Sequence, residues 1–331
     1  MDSVDLEVLR TAVHWLAEGR RVALVTVVRT WGSSPRPVGA LAAFDERGGV
    51  VGSVSGGCVE DDLLTRFTGG FPVRPELVRY GLTHGEAARF GLPCGGTLEL
   101  VVEPLHSVQA LAPVLEALEA RCSIARRLEL ATGKAVIMPA AEDGPLTFDG
   151  RELTRVFGPS WRMLLIGAGQ LSRYLAEFAL ALDYRVLVCD PREEYAQRWR
   201  VAGTELLPGM PDDVVEALIP DERTVIVALT HDPKLDDMAL MAALKSKAFY
   251  VGALGSRANN ARRRKRLKML GLAGDEVARL RGPVGLPLGA RTPPEIAVAI
   301  LAELTALRHG VRLAGYEASE AVYLQDVAVC D

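Results

Sequence analysis

The chain has 331 residues, of which 49% are hydrophobic and 24% charged, and its formal net charge at neutral pH is −4. This length predicts two domains, and the composition is typical of a soluble globular protein. The weakly acidic balance argues against a nucleic-acid partner, and the sequence has no apolar run long enough to span a membrane. The N-terminus lacks the basic start and apolar core of a signal peptide, so we expect a cytoplasmic protein.

The first half of the chain predicts an α/β domain with a mixed sheet. We expect helices over 4–18 and 113–121, and strands over 21–28, 41–44, 50–54, 77–80, 97–102, 124–130 and 135–138. The segment 139–159 contains many Gly, Pro and Asp residues, and we interpret it as the linker to a second domain. The first domain is therefore placed at 1–158.

The segment 30–39 has the composition of a loop and is dense in hydrogen-bond donors. Ser33 and Ser34 supply hydroxyls, and Arg36 supplies a guanidinium. One interpretation is a rigid turn with Arg36 in solvent, and the other is an anion-binding loop. These residues alone slightly favour the rigid turn.

Five cysteines lie far apart in the chain, at positions 58, 94, 122, 189 and 330. An odd number of cysteines in a reducing compartment argues against a disulfide framework. The absence of a CxxC pair and of a His/Cys cluster in the sequence argues against a structural zinc site. We interpret Cys122, Cys189 and Cys330 as packing or tail residues.

The two remaining cysteines are flanked by glycine pairs. Ser55-Gly56-Gly57-Cys58 follows a predicted strand and precedes a segment able to start a helix, where the helix dipole favours negative charge on a thiol. The composition returns in inverted order as Cys94-Gly95-Gly96. Buried inert cysteines are the commoner case. Because the glycines leave these sulfurs uncovered, we hypothesise that the two loops meet and that Cys58 and Cys94 contact a soft metal or carry sulfur.

From residue 162 the pattern changes to alternating strands and helices. Strands are predicted over 163–166, 185–189, 224–229 and 248–254, and a helix over 293–308. This alternation is typical of a doubly wound parallel sheet. We place a Rossmann-like domain at 160–312, followed by a C-terminal tail at 313–331.

The turn after the first of these strands resembles a dinucleotide-binding fingerprint. It contains Gly167 and Gly169, with Ser172 in place of the third glycine, and Asp190 ends the next strand where a ribose-binding acid belongs. The alternative for Asp190 is an ordinary turn acid before proline.

Further polar residues follow the later strands, at the edge where parallel sheets bind ligands. His231-Asp232 could supply an acid/base or a ligand, although a turn-stabilising pair is about as common. Ser256-Arg257 could hold an anion. The basic run 262–266 and Lys268 lie on a predicted helix, and we interpret them first as a solvated face and second as a surface for an acidic partner.

Several motifs are distributed over nearly the whole chain. They are Gly32–Arg36, Ser55–Glu60, Gly91–Gly96, Gly167–Gly169, Asp190–Arg192, Thr230–Asp232, Gly252–Arg257 and Gly289–Ile296. Together these motifs resemble the XdhC/CoxI family, the accessory proteins of xanthine dehydrogenase and related molybdenum hydroxylases. The resemblance implies an N-terminal α/β domain that carries the cysteines and a C-terminal Rossmann-like domain.

The resemblance also implies a chaperone without turnover of its own. Such a protein binds the molybdenum cofactor, molybdopterin, brings it to a cysteine desulfurase that replaces an oxo ligand by sulfide, and passes it to an apo xanthine dehydrogenase-type hydroxylase. We expect a homodimer. The candidate cofactor contacts are Ser33, Ser34, Arg36, Ser55, Gly56, Gly57, Cys58, Cys94, Gly95, Gly96, Gly167, Gly169, Asp190, Arg192, His231, Asp232, Ser256 and Arg257.

Two other interpretations of the function stay open. An NAD(P)-dependent oxidoreductase would use the Rossmann-like domain with His231 as the acid/base, but it lacks a recognisable substrate-domain base. A pure adaptor would have purely structural cysteines. The resemblance favours the chaperone.

Overall fold

A computed structural model of the chain describes residues 3–31, 36–81, 97–140, 144 and 146–311. The chain divides into two compact units, Met1–Ser160 and Trp161–Asp331.

The N-terminal unit combines three helices with two antiparallel sheets. Its helices are α1 (Ser3–Ala17), α2 (Cys58–Gly69) and α3 (Ala112–Glu119), preceded by a 3-10 turn at Val108–Ala110. Its strands are β1 (Val22–Trp31), β2 (Leu41–Asp45), β3 (Val50–Gly52), β4 (Glu76–Tyr80), β5 (Thr97–Leu105), β6 (Ile124–Glu129), β7 (Ala135–Pro139), β8 (Thr147–Phe148) and β9 (Glu152–Phe157).

The first sheet has the strand order β3-β2-β1-β5-β4, and its described pairings are antiparallel rather than mixed. β1 is valine-rich and buried on both faces. Alternate residues such as Val25 pack with Leu63 and Phe67 of α2, whereas Leu24 packs with Leu9 of α1. The sheet therefore carries one helix layer on each face. β1 also extends through Trp31, into the segment expected to be a loop.

The second sheet corrects the expected linker at 139–159. Its strand order is β7-β6-β9-β8, and β9 pairs with β6 from Ile124 opposite Phe157 to Glu129 opposite Glu152. The turn residues at 149–150 connect two paired strands instead of two domains, and Leu153 and Phe157 are buried by the sheet. The linker interpretation was wrong for this part of the segment.

The C-terminal unit alternates strands and helices, as predicted. Its helices are α4 (Gln170–Ala181), α5 (Glu193–Ala196), α6 (Pro211–Leu218), α7 (Pro233–Lys245), α8 (Arg257–Met269), α9 (Gly274–Ala278) and α10 (Pro293–Arg308). Its strands are β10 (Arg162–Ile166), β11 (Arg185–Cys189), β12 (Glu205–Leu207), β13 (Thr224–Ala228), β14 (Tyr250–Ala253) and β15 (Leu280–Arg281).

The six strands form a parallel sheet in the order β12-β11-β10-β13-β14-β15. The predicted doubly wound fold is confirmed, with the switch between its two halves at β10 and β13. Leu175 of α4 and Ile300 of α10 pack on one face, and Leu240 of α7 and Leu267 of α8 pack on the other. This arrangement places the loops that follow the strands at one edge of the sheet.

Helix α10 begins at Pro293, as expected from its capping signals. Glu295 accepts hydrogen bonds from the amides of Arg291 (2.8 Å) and Thr292 (2.9 Å), which completes a capping box. Within the described parts of the chain, no helix combines the length and apolarity needed to cross a membrane.

Candidate functional site

The Cys58 loop, defined here as residues 53–58, connects β3 to α2. Cys58 is the first residue of α2 and its side chain is exposed. The two preceding residues, Gly56 (φ 99°) and Gly57 (φ 141°), have backbone conformations that residues with a Cβ rarely adopt. The sharp entry into the helix therefore depends on these glycines, and it presents the thiol at the surface.

A buried carboxylate, that of Glu60, holds this loop in place. Glu60 lies in the first turn of α2 and is 7% exposed. Its oxygens accept hydrogen bonds from the hydroxyls of Ser53 (2.8 Å) and Ser55 and from the amides of Val54 (2.7 Å), Ser55 (3.0 Å) and Gly57 (2.9 Å). A single acid thus satisfies most of the donors that a tight loop would leave unpaired.

The electrostatics of Glu60 reflect these donors. Burial raises the pKa of the carboxyl, but the hydrogen bonds from Ser55, Ser53 and Val54 outweigh burial and lower the pKa to about 2. Glu60 is therefore ionised at neutral pH, and its charge is stabilised by dipoles of the loop itself. A signal for this role was present, since an acid three residues after Gly57 matches capping-box spacing, but Glu60 was missing from the expected site residues.

Arg36 is the second predicted residue at this loop. Its Nε atom donates a hydrogen bond to the carbonyl of Ser53 at 3.2 Å, and the side chain is half-buried. Arg36 therefore contacts the Cys58 loop rather than only solvent. Gly52, just before the loop, has φ 80°, and a Cβ there would lie 2.4 Å from the Leu41 carbonyl oxygen.

Several expected contacts fall outside the described residues. They are Ser33, Ser34, Cys94, Gly95 and Gly96, so the expected meeting of the two cysteine loops stays a prediction.

The other described cysteines differ from each other. Cys189 is buried in the parallel sheet, and burial, with Asp190 and Asp212 nearby, raises its pKa to about 12. This agrees with a packing role. Cys122 is exposed on the turn after α3, contrary to that interpretation. Among the residues that the structure describes, no group of three or more His, Cys, Asp or Glu side chains is arranged to hold a metal ion.

In the C-terminal unit, the glycine turn lies at the carboxyl end of β10. Gly167 has φ 110°, and a Cβ there would lie 3.1 Å from the backbone of Thr230, which follows β13. Gly167 thus allows the loops after β10 and β13 to approach at the switch point. Gly169 precedes α4, and a Cβ there would meet no atom within 4 Å. The helix N-terminus is therefore open at Gly169.

Asp190 ends β11 as predicted, but its carboxylate is engaged by its own surroundings. Arg192 donates to it from Nε (2.9 Å), Nη2 (2.8 Å) and its amide (3.1 Å), and Ala168 donates from its amide (2.8 Å). Burial raises the pKa of Asp190, but these hydrogen bonds hold it below its usual value. The Arg192 guanidinium also lies 4.0 Å from the ring centroid of Tyr195. The pair is a closed ion pair that ties the β10 and β11 loops together.

The segment after β13 also serves the local structure. His231 is exposed in a left-handed conformation (φ 62°), and Asp232 caps α7 by accepting a hydrogen bond from the amide of Lys234 at 2.9 Å. Asp236 in α7 accepts hydrogen bonds from the hydroxyl (2.7 Å) and amide (3.1 Å) of Thr230. His231 is thereby placed at the carboxyl edge with its side chain in solvent.

The basic run on α8 corrects a second expectation. Arg263 is buried, and its guanidinium contacts Asp236 (2.9 Å), Asp237 (3.4 Å) and the carbonyl of Leu254 (2.9 Å). Burial raises the pKa of Asp236, opposed by Thr230 and Arg263. The run is therefore not a uniformly solvated face, because helical periodicity turns Arg263 toward the sheet while Arg262, Lys265 and Lys268 stay exposed.

Ser256 and Arg257 begin α8 at the end of β14. The Ser256 hydroxyl accepts a hydrogen bond from the amide of Asn259 at 3.2 Å and so caps the helix. Arg257 is the first residue of α8 and is exposed. Both residues lie at the same sheet edge as Gly167, Asp190 and His231.

Comparison with known proteins follows this division into units. The family model for the XdhC and CoxI family matches residues 15–81, and the model for the XdhC Rossmann domain matches residues 163–304. The molybdenum cofactor insertion chaperone PaoD of Escherichia coli (strain K12) is 31% identical over 305 residues, covering 91% of this chain and 88% of that protein. The chain belongs to the XdhC/CoxI family.

Two further proteins show how far the similarity extends. A probable xanthine dehydrogenase component of Bacillus subtilis (strain 168) is 25% identical, covering 89% of this chain and 96% of that protein. The crystal structure of a protein named a xanthine dehydrogenase, from Bacillus halodurans, is 27% identical with a TM-score of 0.73, covering 95% of this chain and 98% of that one. This XdhC/CoxI chain therefore corresponds to its relatives over nearly its whole length.

Proposed function

We propose that this XdhC/CoxI chain is an accessory chaperone that binds the molybdenum cofactor, assists its sulfuration and inserts it into a xanthine dehydrogenase-type hydroxylase. The observation that carries the proposal is the exposed Cys58 thiol on a loop fixed by the buried Glu60. The relative named as a molybdenum cofactor insertion chaperone supports it. A rigid loop with a solvent-facing thiol suits a soft metal centre that must be held and then released.

The hydrogen bonds of the loop restrict what it can offer this cargo. The amides of residues 54, 55 and 57 donate to Glu60, and the amide of Val59 donates to the Ser55 hydroxyl. These amides are therefore committed within the protein and do not form the phosphate cradle expected from the glycines. The loop contributes its thiol to the cofactor, with the Arg36 guanidinium beside it.

In this role Cys58 would face the metal-bearing end of the cofactor or pass sulfur to it. The sulfur would come from a cysteine desulfurase, and the apo-hydroxylase would receive the finished cofactor. A thiolate is suited to both steps, because it binds soft metals and exchanges sulfur with persulfides. The homodimer and the cytoplasmic location stay predictions.

Cofactor retention by Cys58→Ser tests the proposal. We expect the variant to fold normally and to retain roughly tenfold less molybdenum and pterin than the wild type, a scale reached even by outer-shell changes at metal sites. The matched control is Cys122→Ser, which changes another exposed cysteine outside the loop. Equal retention by Cys58→Ser and wild type, measured by metal analysis and pterin fluorescence, would remove Cys58 from the function.

The alternative is an NAD(P)-dependent oxidoreductase. The Rossmann strand order and the open helix N-terminus at Gly169 favour it. The state of Asp190 opposes it, because both oxygens already accept hydrogen bonds from Arg192 or Ala168 and the side chain is fully enclosed. Calorimetry with NAD and NADP decides between them: an oxidoreductase requires binding that Asp190→Ala weakens, and the chaperone proposal predicts no dinucleotide binding by the wild type.

A further inference from the structure

A cavity of about 510 Å³ lies at the carboxyl ends of β14 and β15. It is formed by the loop 282–290, the start of α8 and one side of α10. Parallel sheets bind their ligands at this edge, and small-molecule sites typically measure roughly 300–1,000 Å³. The position and the size therefore fit a small ligand.

The charge of the cavity has one sign. Arg257 and Arg264 of α8 and Arg281 of β15 line it, and none of its other lining residues within the described chain is charged. Three guanidiniums around one opening produce a positive potential that attracts an anion. Arginine also matches the geometry of phosphate better than lysine does.

The walls are held by hydrogen bonds of the protein itself. Arg264 donates to the carbonyls of Leu280 (3.0 Å) and Gly282 (3.1 and 3.2 Å), which joins α8 to the end of β15. The amide of Gly285 donates to the Glu303 carboxylate at 2.7 Å, and Glu303 is buried behind the loop. The cavity is thus preformed, and an arriving ligand would not have to order its walls.

The remaining lining is mostly apolar. It includes Leu254, Val284, Leu286, Leu288 and Ile296. Leu288 is 59% exposed, which places an aliphatic side chain at the rim where solvent would otherwise contact it. A surface of this kind suits a flat heterocycle whose faces are apolar and whose substituents are polar.

We propose that this cavity binds a phosphorylated heterocycle, with the phosphate at the arginines and the ring against the apolar wall. A free nucleotide and a pterin phosphate share this chemistry. The site goes beyond the proposed function, because it uses none of the residues of the Cys58 loop and adds the anion-binding capacity that the committed amides of that loop do not provide.

Calorimetry on the full chain with AMP, CMP and adenosine tests the site. We expect a phosphorylated probe to bind and adenosine to bind at least about tenfold more weakly, as for the loss of a charged hydrogen-bond partner. Arg257→Gln and Arg281→Gln should each lower the affinity of the phosphorylated probe by about tenfold. Arg262→Gln is the matched control, since this exposed arginine lies on the same helix and does not line the cavity.

Competition with molybdopterin released from a molybdoenzyme separates the two sources of the ligand. Displacement of the nucleotide would assign the site to the cofactor's own phosphate, and independent binding would assign it to a separate nucleotide. Molybdopterin binding that depends on Arg257 would support the site even if AMP and CMP fail. The proposal is overturned if none of the three binds, or if Arg257→Gln and Arg281→Gln bind them as the wild type does.

Discussion

The two units stabilise their buried carboxylates in opposite ways. In the N-terminal unit, Glu60 is held by hydroxyls and backbone amides of the loop in front of it. In the C-terminal unit, Asp190 is paired with Arg192, and Asp236 with Arg263. The first arrangement shapes a loop that leaves a thiol exposed, whereas the second closes the acids off from any ligand.

This difference shows where ligand chemistry is available in each unit. The acids that looked functional in the C-terminal unit serve the fold, and the charged groups that line the cavity at β14 and β15 are cations. In the N-terminal unit, the acid that was not predicted positions the candidate functional cysteine. Buried charge is thus structural in both units, and the accessible group beside it carries the proposed function.

The largest expected effect comes from breaking the ion pair of the C-terminal unit. Arg263→Met would leave Asp236 buried without its cation, which typically costs about 3–5 kcal/mol of the free energy of unfolding. Urea denaturation followed by circular dichroism measures this loss. Arg262→Met on the exposed face is the control, with an expected change within about 0.5 kcal/mol. Equal stabilities of the two variants would contradict a structural role for Arg263.

A smaller loss is expected from Glu60→Gln in the N-terminal unit. A carboxyl pKa lowered to about 2 contributes roughly 3 kcal/mol to the free energy of unfolding when Glu60 is ionised. Because the folded-state pKa lies below the unfolded one, this stability is present above about pH 5 and is lost as the pH falls toward 2. The variant should therefore be less stable than the wild type at pH 7 and approach it in acid.

The pH dependence separates the charge of Glu60 from its shape. Glu7→Gln, at an exposed position of α1, serves as the control and should follow the wild-type curve. A constant difference between Glu60→Gln and wild type from about pH 7 to about pH 2.5 would show that the ionised carboxylate does not stabilise the loop.

The smallest effect on stability is expected at the glycine turn. Gly169 has φ −87° and open space where a Cβ would lie, so Gly169→Ala should change the free energy of unfolding by less than about 0.5 kcal/mol. Gly52→Ala is its counterpart in the N-terminal unit and should be clearly destabilising, because φ is 80° and the Leu41 carbonyl lies 2.4 Å from the new Cβ. Equal melting temperatures of the two variants would contradict the described backbone.

Local sequence signals predicted the elements that they specify directly. Helix α10 has a cap, a proline at its first position and an acid at the capping-box position, and the helix lies at the predicted residues. The strands of the parallel sheet are apolar runs, and their alternation with helices predicted the doubly wound fold. Long-range pairing left no such mark: β9 alternates charged and apolar residues and pairs with β6, which composition alone did not distinguish from a linker.

The site was predicted less completely, because the partners of a charged side chain are set by the fold. Residues after the parallel strands could be placed at one edge, but the sequence did not show that Asp190 is enclosed by Arg192 or that Arg263 turns inward. The signal for Arg263 was present in the helical spacing that it shares with Asn260 and Leu267, both buried. A run of like charges concealed that spacing.

Alkylation of the protein with and without bound molybdenum cofactor tests the central claim most directly. Peptide mass spectrometry after brief iodoacetamide treatment compares Cys58 with Cys122, since both thiols are exposed in the structure. We predict that bound cofactor protects Cys58 and leaves Cys122 labelled to the same extent. Equal labelling of Cys58 in the two samples, with the cofactor still bound, would contradict a role for this loop in holding the cofactor.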